Sequence, residues 1–342
     1  MSRKIIALAG AVMSAIASLF SGKRSGSELN LSAVQNHVRA NPDIAVEYLA
    51  ALLKENFARL SSARSGRDRA DDLFQAVADI CTGRAARQRQ LFQANLDGTR
   101  KPLVGHLLTC SDPILDALLR DSENHWLISR RVGAWLGGDD RTRFPFAAEL
   151  GLSKDLGAPV VIALKHVDLQ LASNHKFGCN CGCAAISMAT TMIRAEAEGG
   201  KPFAALQQTA KERWIGEMAA ATGPSAISDA QAQNVSIEEW GSFSRNVRRA
   251  AVRETVEVIK DLETANLRDG EVARKIIGAI VDQRTGDLWL RVDEQKNIYA
   301  VYEPMRSLRQ IEKDLFLIAE GKEPNRESRA PEVKLGRTPG AS

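Results

Sequence analysis

The chain has 342 residues, with 46 Lys and Arg against 42 Asp and Glu, and 44% of its residues are hydrophobic. This length holds one large domain or two smaller ones, and the composition is that of a soluble globular protein. A net charge of +4 lacks the concentrated basic surface of a nucleic-acid binder, so no nucleic acid is expected as partner. The sequence has no Walker loop, GxGxxG or HExxH motif and no fixed internal period, so phosphate-cradling and helix-borne zinc hydrolysis lack their usual signatures.

Residues 1–25 read as a signal-like or membrane-associating segment. Arg3 and Lys4 precede a largely apolar run from Ile5 to Phe20, and Ala15-Ile16-Ala17 offers a small-x-small cleavage site. The run is shorter than the roughly 20 apolar residues of a spanning helix. Export or membrane attachment is therefore expected, with membrane contact through residues 4–20; a buried helix here would leave the protein cytoplasmic.

Residues 29–135 read as a helical region. Ile44, Tyr48, Leu49, Leu52, Leu53, Phe57 and Leu60 recur at three-to-four spacing, with Asn41 as cap and Pro42 at the first position. Leu73, Phe74, Val77, Ile80 and Cys81 repeat the pattern before Gly83, and "DPILDALLRD" is a third such segment. Cys81 and Cys110 read as apolar-face residues of helices, and Arg84, Arg87 and Arg89 as a solvated face.

The Gly-rich stretch "GAWLGGDDRTRFPF" marks a boundary near 133–145. Within the second region, 145–318, Val160-Val161-Ile162 opens a strand that passes into alternation through Leu164, Val167 and Leu169. A helix is predicted from about Gly182 to Gly199-Gly200, and more helix over 203–265, with Ser236 and Glu239 as a capping box. "KIIGAIVD", "GDLWLRVD" and "NIYAVYEP" predict three antiparallel strands, and residues 321–342 a disordered tail. The fold class is α+β: a helical N-terminal half, then a region with a small antiparallel sheet.

Three of the five cysteines fall in "HKFGCNCGCAAISM". His175, Cys179, Cys181 and Cys183 supply four ligands for a metal, although C-x-C-x-C is not the usual C-x₂₋₄-C zinc spacing. Cys181-Gly182-Cys183 could instead close a strained disulfide. Cys181 could also be a single nucleophile, its thiolate stabilised by the N-terminus of the following helix. A purely structural reading makes the cysteines small hydrophobes before a tightly packed helix, with Ala184, Ala185, Ser187 and Ala189 small and Met188, Met192 and Ile193 in the core.

"CGCAAISM", Cys181 to Met188, resembles the nucleophile segment of the bacteriocin-leader (double-glycine) peptidases. The resemblance implies a papain-like fold, a thiol peptidase or acyltransferase acting through Cys181, a peptide or protein substrate, and no cofactor. It lays Glu303-Pro304 on the family's Asp-Pro and Asp287 on the position of its catalytic His. His175 falls where the family's oxyanion Gln stands, and Asn180 where Asp is common. The five histidines, His37, His106, His125, His166 and His175, all precede Cys181, so His175 or His125 would have to serve as base. "HVDLQ…CNCG" also resembles the Yop-type acetyltransferases and ubiquitin-like-protein proteases, with Gln170, His125 and Asp139, Asp140 or Glu149 in their roles. A degenerate, non-catalytic binding form, a structural or secreted interaction protein, and a His/Cys metal-binding protein are the alternatives.

Overall fold

The computed structural model describes residues 30–61, 103–120, 125–137, 140–168, 182–199, 209–236, 239–293 and 297–324. The expected leader, the Leu73–Cys81 helix and the tail beyond 324 lie outside them. Helices α1 (Leu31–Ala40) and α2 (Asp43–Ser61) form the N-terminal helical part. Asn41 caps the end of α1, its side chain donating to the His37 carbonyl, before α2 starts at Asp43. Tyr48, Leu49, Leu52, Leu53 and Leu60 are buried as the periodicity predicts.

The rest of the chain builds one mixed sheet, in agreement with an α+β class. In chain order the elements are β1 (Gly105–Cys110), α3 (Pro113–Leu118), β2 (Trp126–Arg131), a 3₁₀ turn (Val132–Ala134), α4 (Asp140–Asp155) and β3 (Val160–Val167). There follow α5 (Ala184–Ala197), α6 (Ala210–Ala232), α7 (Trp240–Ala265), β4 (Lys275–Asp282), β5 (Leu288–Asp293), β6 (Ile298–Tyr302) and α8 (Leu308–Ala319). The strand order is β2-β1-β3-β4-β5-β6. The first four strands run parallel, and β5 and β6 add antiparallel.

The three C-terminal strands form as expected, but β4 also pairs with β3 from Val160↔Lys275 to Val167↔Asp282. The small sheet is thus one side of a larger one. Strands β1 and β2 lie in the stretch read as helical. A six-residue strand buried on both faces, such as "GHLLTC", carries no alternation to distinguish it from a helix segment. Strand β3 is buried along its whole length and is the centre of the core. Helix α7 begins at Trp240 with Glu239 as cap residue, so the Ser236–Glu239 pair closes the preceding turn rather than boxing the helix. No helix among the described residues is long and apolar enough to cross a membrane.

Because β1 to β4 are parallel, their carboxyl ends share one edge of the sheet, the edge where open α/β sheets place ligands. Cys110 ends β1, His166 lies near the end of β3, and Gln283 directly follows β4. Register sets the first two side by side: Thr109 pairs with Leu164, one residue before Cys110 and two before His166.

Candidate metal centre

Cys183 joins this edge from the other direction, as the residue immediately before α5. Gly182 turns the chain into place with φ +81°. A Cβ there would collide with Gln283 Nε2 and lie 2.9 Å from Asp168 Cβ, so both backbone and space demand glycine. The result is a buried group of Cys110, His166 and Cys183 whose ligand atoms all lie within 4.8 Å of one another.

The two sulfurs are 3.9 Å apart. A disulfide would need about 2.05 Å, whereas two thiolates on one tetrahedral zinc ion, at Zn–S of about 2.3 Å, are separated by about 3.8 Å. His166 Nδ1 is 2.8 Å from Gln283 Oε1. Since an amide oxygen can only accept, Nδ1 carries the proton and Nε2 presents its lone pair. That Nε2 is buried with no nitrogen or oxygen partner. Asp112 Oδ2 stands 3.7 Å from it, while Asp112 Oδ1 accepts from the Ile114 backbone N–H at the start of α3.

Backbone N–H groups support the sulfur of Cys110. Gly133 N–H donates to it at 3.2 Å, and the Asp112 backbone N–H also points to it. The Gly133–Ala134 turn has positive φ at both residues, +67° and +51°. The buried Lys165 ammonium holds that turn, donating to the carbonyls of Gly133 and Ala134 at 2.8 Å each. Burial lowers the Lys165 pKa to about 7, against the pull of the two cysteines.

The three ligand residues share protons. The hydrogen bond from Cys110 holds the Cys183 thiol well below its usual pKa; the His166 charge adds to this, and burial opposes it. Cys110, which donates that bond and is buried, is pushed up. For His166, burial pulls downward, but the charge and hydrogen bond of Cys183 outweigh it and raise the pKa.

Gln283 also lines a cavity of about 450 Å³ together with Phe57, Ile114, Asp168 and Arg284. The cavity thus adjoins the partner of His166 and the helix capped by Asp112. Arg284 Nε donates to Asp168 at 2.8 Å on its wall.

Of the residues singled out from sequence, Cys183 belongs to this group. His175, Cys179, Cys181, Asn180, Gln170 and Asp139 lie outside the described residues, and Asp140 opens α4. Asp287 pairs with Lys54 and accepts from Thr285 Oγ1 at 2.6 Å; Glu303 lies 3.8 Å from the same lysine. His125 packs against Tyr48 with ring centroids 5.4 Å apart, its Nε2 3.9 Å from Glu312. Glu149 receives Arg131 at 2.8 Å and the Ser129 hydroxyl. Cys110 is not an apolar helix residue but the terminal residue of a strand. His166 had carried no signal beyond its place at the end of an apolar run.

No family model matches the chain, and no curated protein sequence matches it. Among solved structures the chain is similar to the β-carbonic anhydrase CcaA, at 14% identity and TM-score 0.40, covering 68% of this chain and 98% of that one. It is similar to one of two tetrameric β-carbonic anhydrases from the filamentous ascomycete Sordaria macrospora, at 12% identity and TM-score 0.38, covering 63% and 92%. A third is the β-carbonic anhydrase CafA of the fungal pathogen Aspergillus fumigatus, at 14% identity and TM-score 0.39, covering 71% and 98%.

The resemblance to papain-like peptidases, with its cysteine nucleophile and its thiol peptidase or acyltransferase activity, is corrected by the sheet and by the site. Four strands of one six-stranded mixed sheet run parallel, where a small antiparallel sheet was expected. The described cysteine at the start of α5, Cys183, is gathered with another cysteine and a histidine. Eight contiguous residues, mostly small and aliphatic, running into the first turn of a helix fit many buried helices, which is why the local likeness did not extend to the fold.

Proposed function

We propose that the chain is a zinc protein that hydrates a small electrophile, carbon dioxide being the substrate to assay first. Cys110, His166 and Cys183 hold the ion. One observation carries this reading: a buried Cys₂His set with its sulfurs 3.9 Å apart and its imidazole Nε2 without a nitrogen or oxygen partner. Two thiolates and an imidazole are the donor types zinc prefers, and three protein ligands leave a fourth position open.

When bound, zinc supplies a Lewis acid that brings the pKa of a coordinated water to about 7. The protein's own groups prepare the site. Gln283 fixes the His166 tautomer, and the backbone N–H groups of Gly133 and Asp112 support the Cys110 sulfur. Asp112 Oδ2 is the carboxylate nearest the imidazole nitrogen and the group placed to accept a hydrogen bond from a reacting water.

The same 3.7 Å separation supports a second reading, in which Asp112 is itself the fourth ligand and the site is closed. Metal analysis and stopped-flow carbon dioxide hydration test both. A catalytic site gives about one zinc per chain and saturable hydration, and Cys183→Ser loses both. Zinc without hydration selects the closed site, with Asp112→Ala then lowering affinity. A chain that binds no zinc overturns the proposal.

A further inference from the structure

Lys165 stands one residue before His166 on β3 and is only 1% exposed. A buried ammonium is costly unless its donors are satisfied and its charge is answered. No carboxylate among the described residues pairs with it; its hydrogen bonds go to two backbone carbonyls. The negative charge that acts on it is that of Cys110 and Cys183. Register explains the placement. Thr109 of β1 pairs with Leu164 of β3, so the next residues along these parallel strands are Cys110 and Lys165.

The two carbonyls belong to successive residues, Gly133 and Ala134, each 2.8 Å from Nζ, and the Trp135 ring centroid is 6.0 Å away. Both residues have left-handed backbones, which glycine adopts freely and alanine does not. Their carbonyls converge on one point, where buried oxygens without a donor would be costly. Lys165 supplies the donors. Gly133 is also the residue whose N–H donates to Cys110 Sγ at 3.2 Å. A continuous chain of contacts therefore runs from Lys165 through the Gly133 backbone to the sulfur. We infer that Lys165 is a positioning residue for the metal centre: it clamps the Gly133–Ala134 turn and so holds the Gly133 N–H on the Cys110 sulfur. This rests on the zinc reading. A hydrogen bond to a thiolate orients the ligand and draws electron density from it. Lys165 acts on the sulfur through the turn.

The probe is ¹¹³Cd, a thiophilic ion whose nuclear spin couples through a bound sulfur to an amide proton hydrogen-bonded to it. In the ¹⁵N-labelled full chain loaded with ¹¹³Cd, the Gly133 amide proton should show this coupling. Lys165→Met keeps much of the bulk and removes the donors. It should lose the coupling and bind zinc about 10- to 100-fold more weakly. Adding Ala134→Gly to that variant should restore part of the coupling, because glycine holds the left-handed turn without a clamp. A side chain that merely filled space would not be rescued in this way. Coupling unchanged in Lys165→Met, or no recovery in the double variant, overturns the inference and leaves the zinc reading standing. A wild-type chain that takes up neither zinc nor cadmium overturns both. If Lys165→Met does not fold, the wild type decides. Correlations across the hydrogen bonds from Lys165 ¹⁵Nζ to both carbonyl carbons, together with the Gly133 coupling, uphold the inference, and the lack of either overturns it.

Discussion

The amide oxygen of Gln283 lies 2.8 Å from Nδ1 of His166, and this contact determines which imidazole nitrogen faces the two cysteines. The position is prepared by the sheet. Val167 pairs with Asp282, and the next residue, Gln283, donates its backbone N–H to the Val167 carbonyl. Gln283 would thus act on the proposed zinc ion through His166, a positioning role. Replacing it with Leu removes the acceptor while keeping much of the bulk. Zinc affinity should fall about 10- to 100-fold, read by competition with a chromophoric chelator, while the urea midpoint of the metal-free protein moves little. An unchanged affinity would show that the imidazole is held by packing alone.

Gly182→Ala should damage the same contact from the opposite side. The substitution forces a non-glycine residue to φ +81° and drives a methyl group into Gln283 Nε2 and against Asp168. The strain is borne by the residue immediately before Cys183, so zinc affinity and stability should fall together, stability by about 2 kcal/mol. Chemical denaturation with and without excess zinc checks this. Gly182→Ala with wild-type affinity would mean that the loop has slack not visible in the fold.

The α+β class was legible because apolar periodicity reports which face of an element is buried. Residues 44–60 and the three strands over 275–302 show this well. Strands β1 and β2 were not legible. In "GHLLTC" and "WLISRR" the pattern is too short and, in β1, too uniformly buried to separate strand from helix. The site was half legible. Cys183 stood out because it sits among other cysteines; the partners suggested by proximity in sequence, His175, Cys179 and Cys181, lie outside the described residues, and those found with it among the described ones are remote in sequence. Cys110 and His166 are 73 and 17 residues away. They meet Cys183 only because parallel strands align their carboxyl ends, information carried by strand order and not by spacing. What sequence offered was that both residues close an apolar run, a weak signal without the topology.

Zinc binding should be strongly pH-dependent, because the metal-free site holds protons that the ion must displace. Cys110 is raised by its hydrogen bond to Cys183 and by burial, and His166 is raised by the Cys183 charge and hydrogen bond against the pull of its own burial. Cys183 is already depressed and contributes no proton near neutrality. Affinity should therefore rise with pH, with up to one proton released from Cys110 and one from His166 per ion. Calorimetry in buffers of different ionisation enthalpy counts them. An affinity flat from pH 6 to 8 would contradict the proton sharing seen in the site. Bound zinc should also stabilise the fold, by about 4 kcal/mol at a thousand-fold excess over Kd, so chelation should lower the melting temperature.

A separate acid sensitivity is built into the opposite end of β1. His106 is fully buried between the hydroxyls of Ser129 at 2.7 Å and Ser153 at 3.0 Å. Burial, reinforced by Arg274 and Arg131, lowers its pKa to about 3. The folded pKa lies below the unfolded value of about 6.5, so above pH 6.5 both states are neutral and the histidine costs nothing. As pH falls from 6.5 toward 3, only the unfolded chain takes up the proton, and stability drops by up to about 1.4 kcal/mol per pH unit. His106→Gln does not titrate and offers an amide to the same two serines. It should remove most of that slope, leaving it about 2 kcal/mol better off at pH 4.5, relative to wild type, than at pH 7.5. Urea midpoints of metal-free wild type and variant across this range measure the difference. Parallel curves would show that His106 is protonated in the folded protein and that the serine pair accepts its second proton.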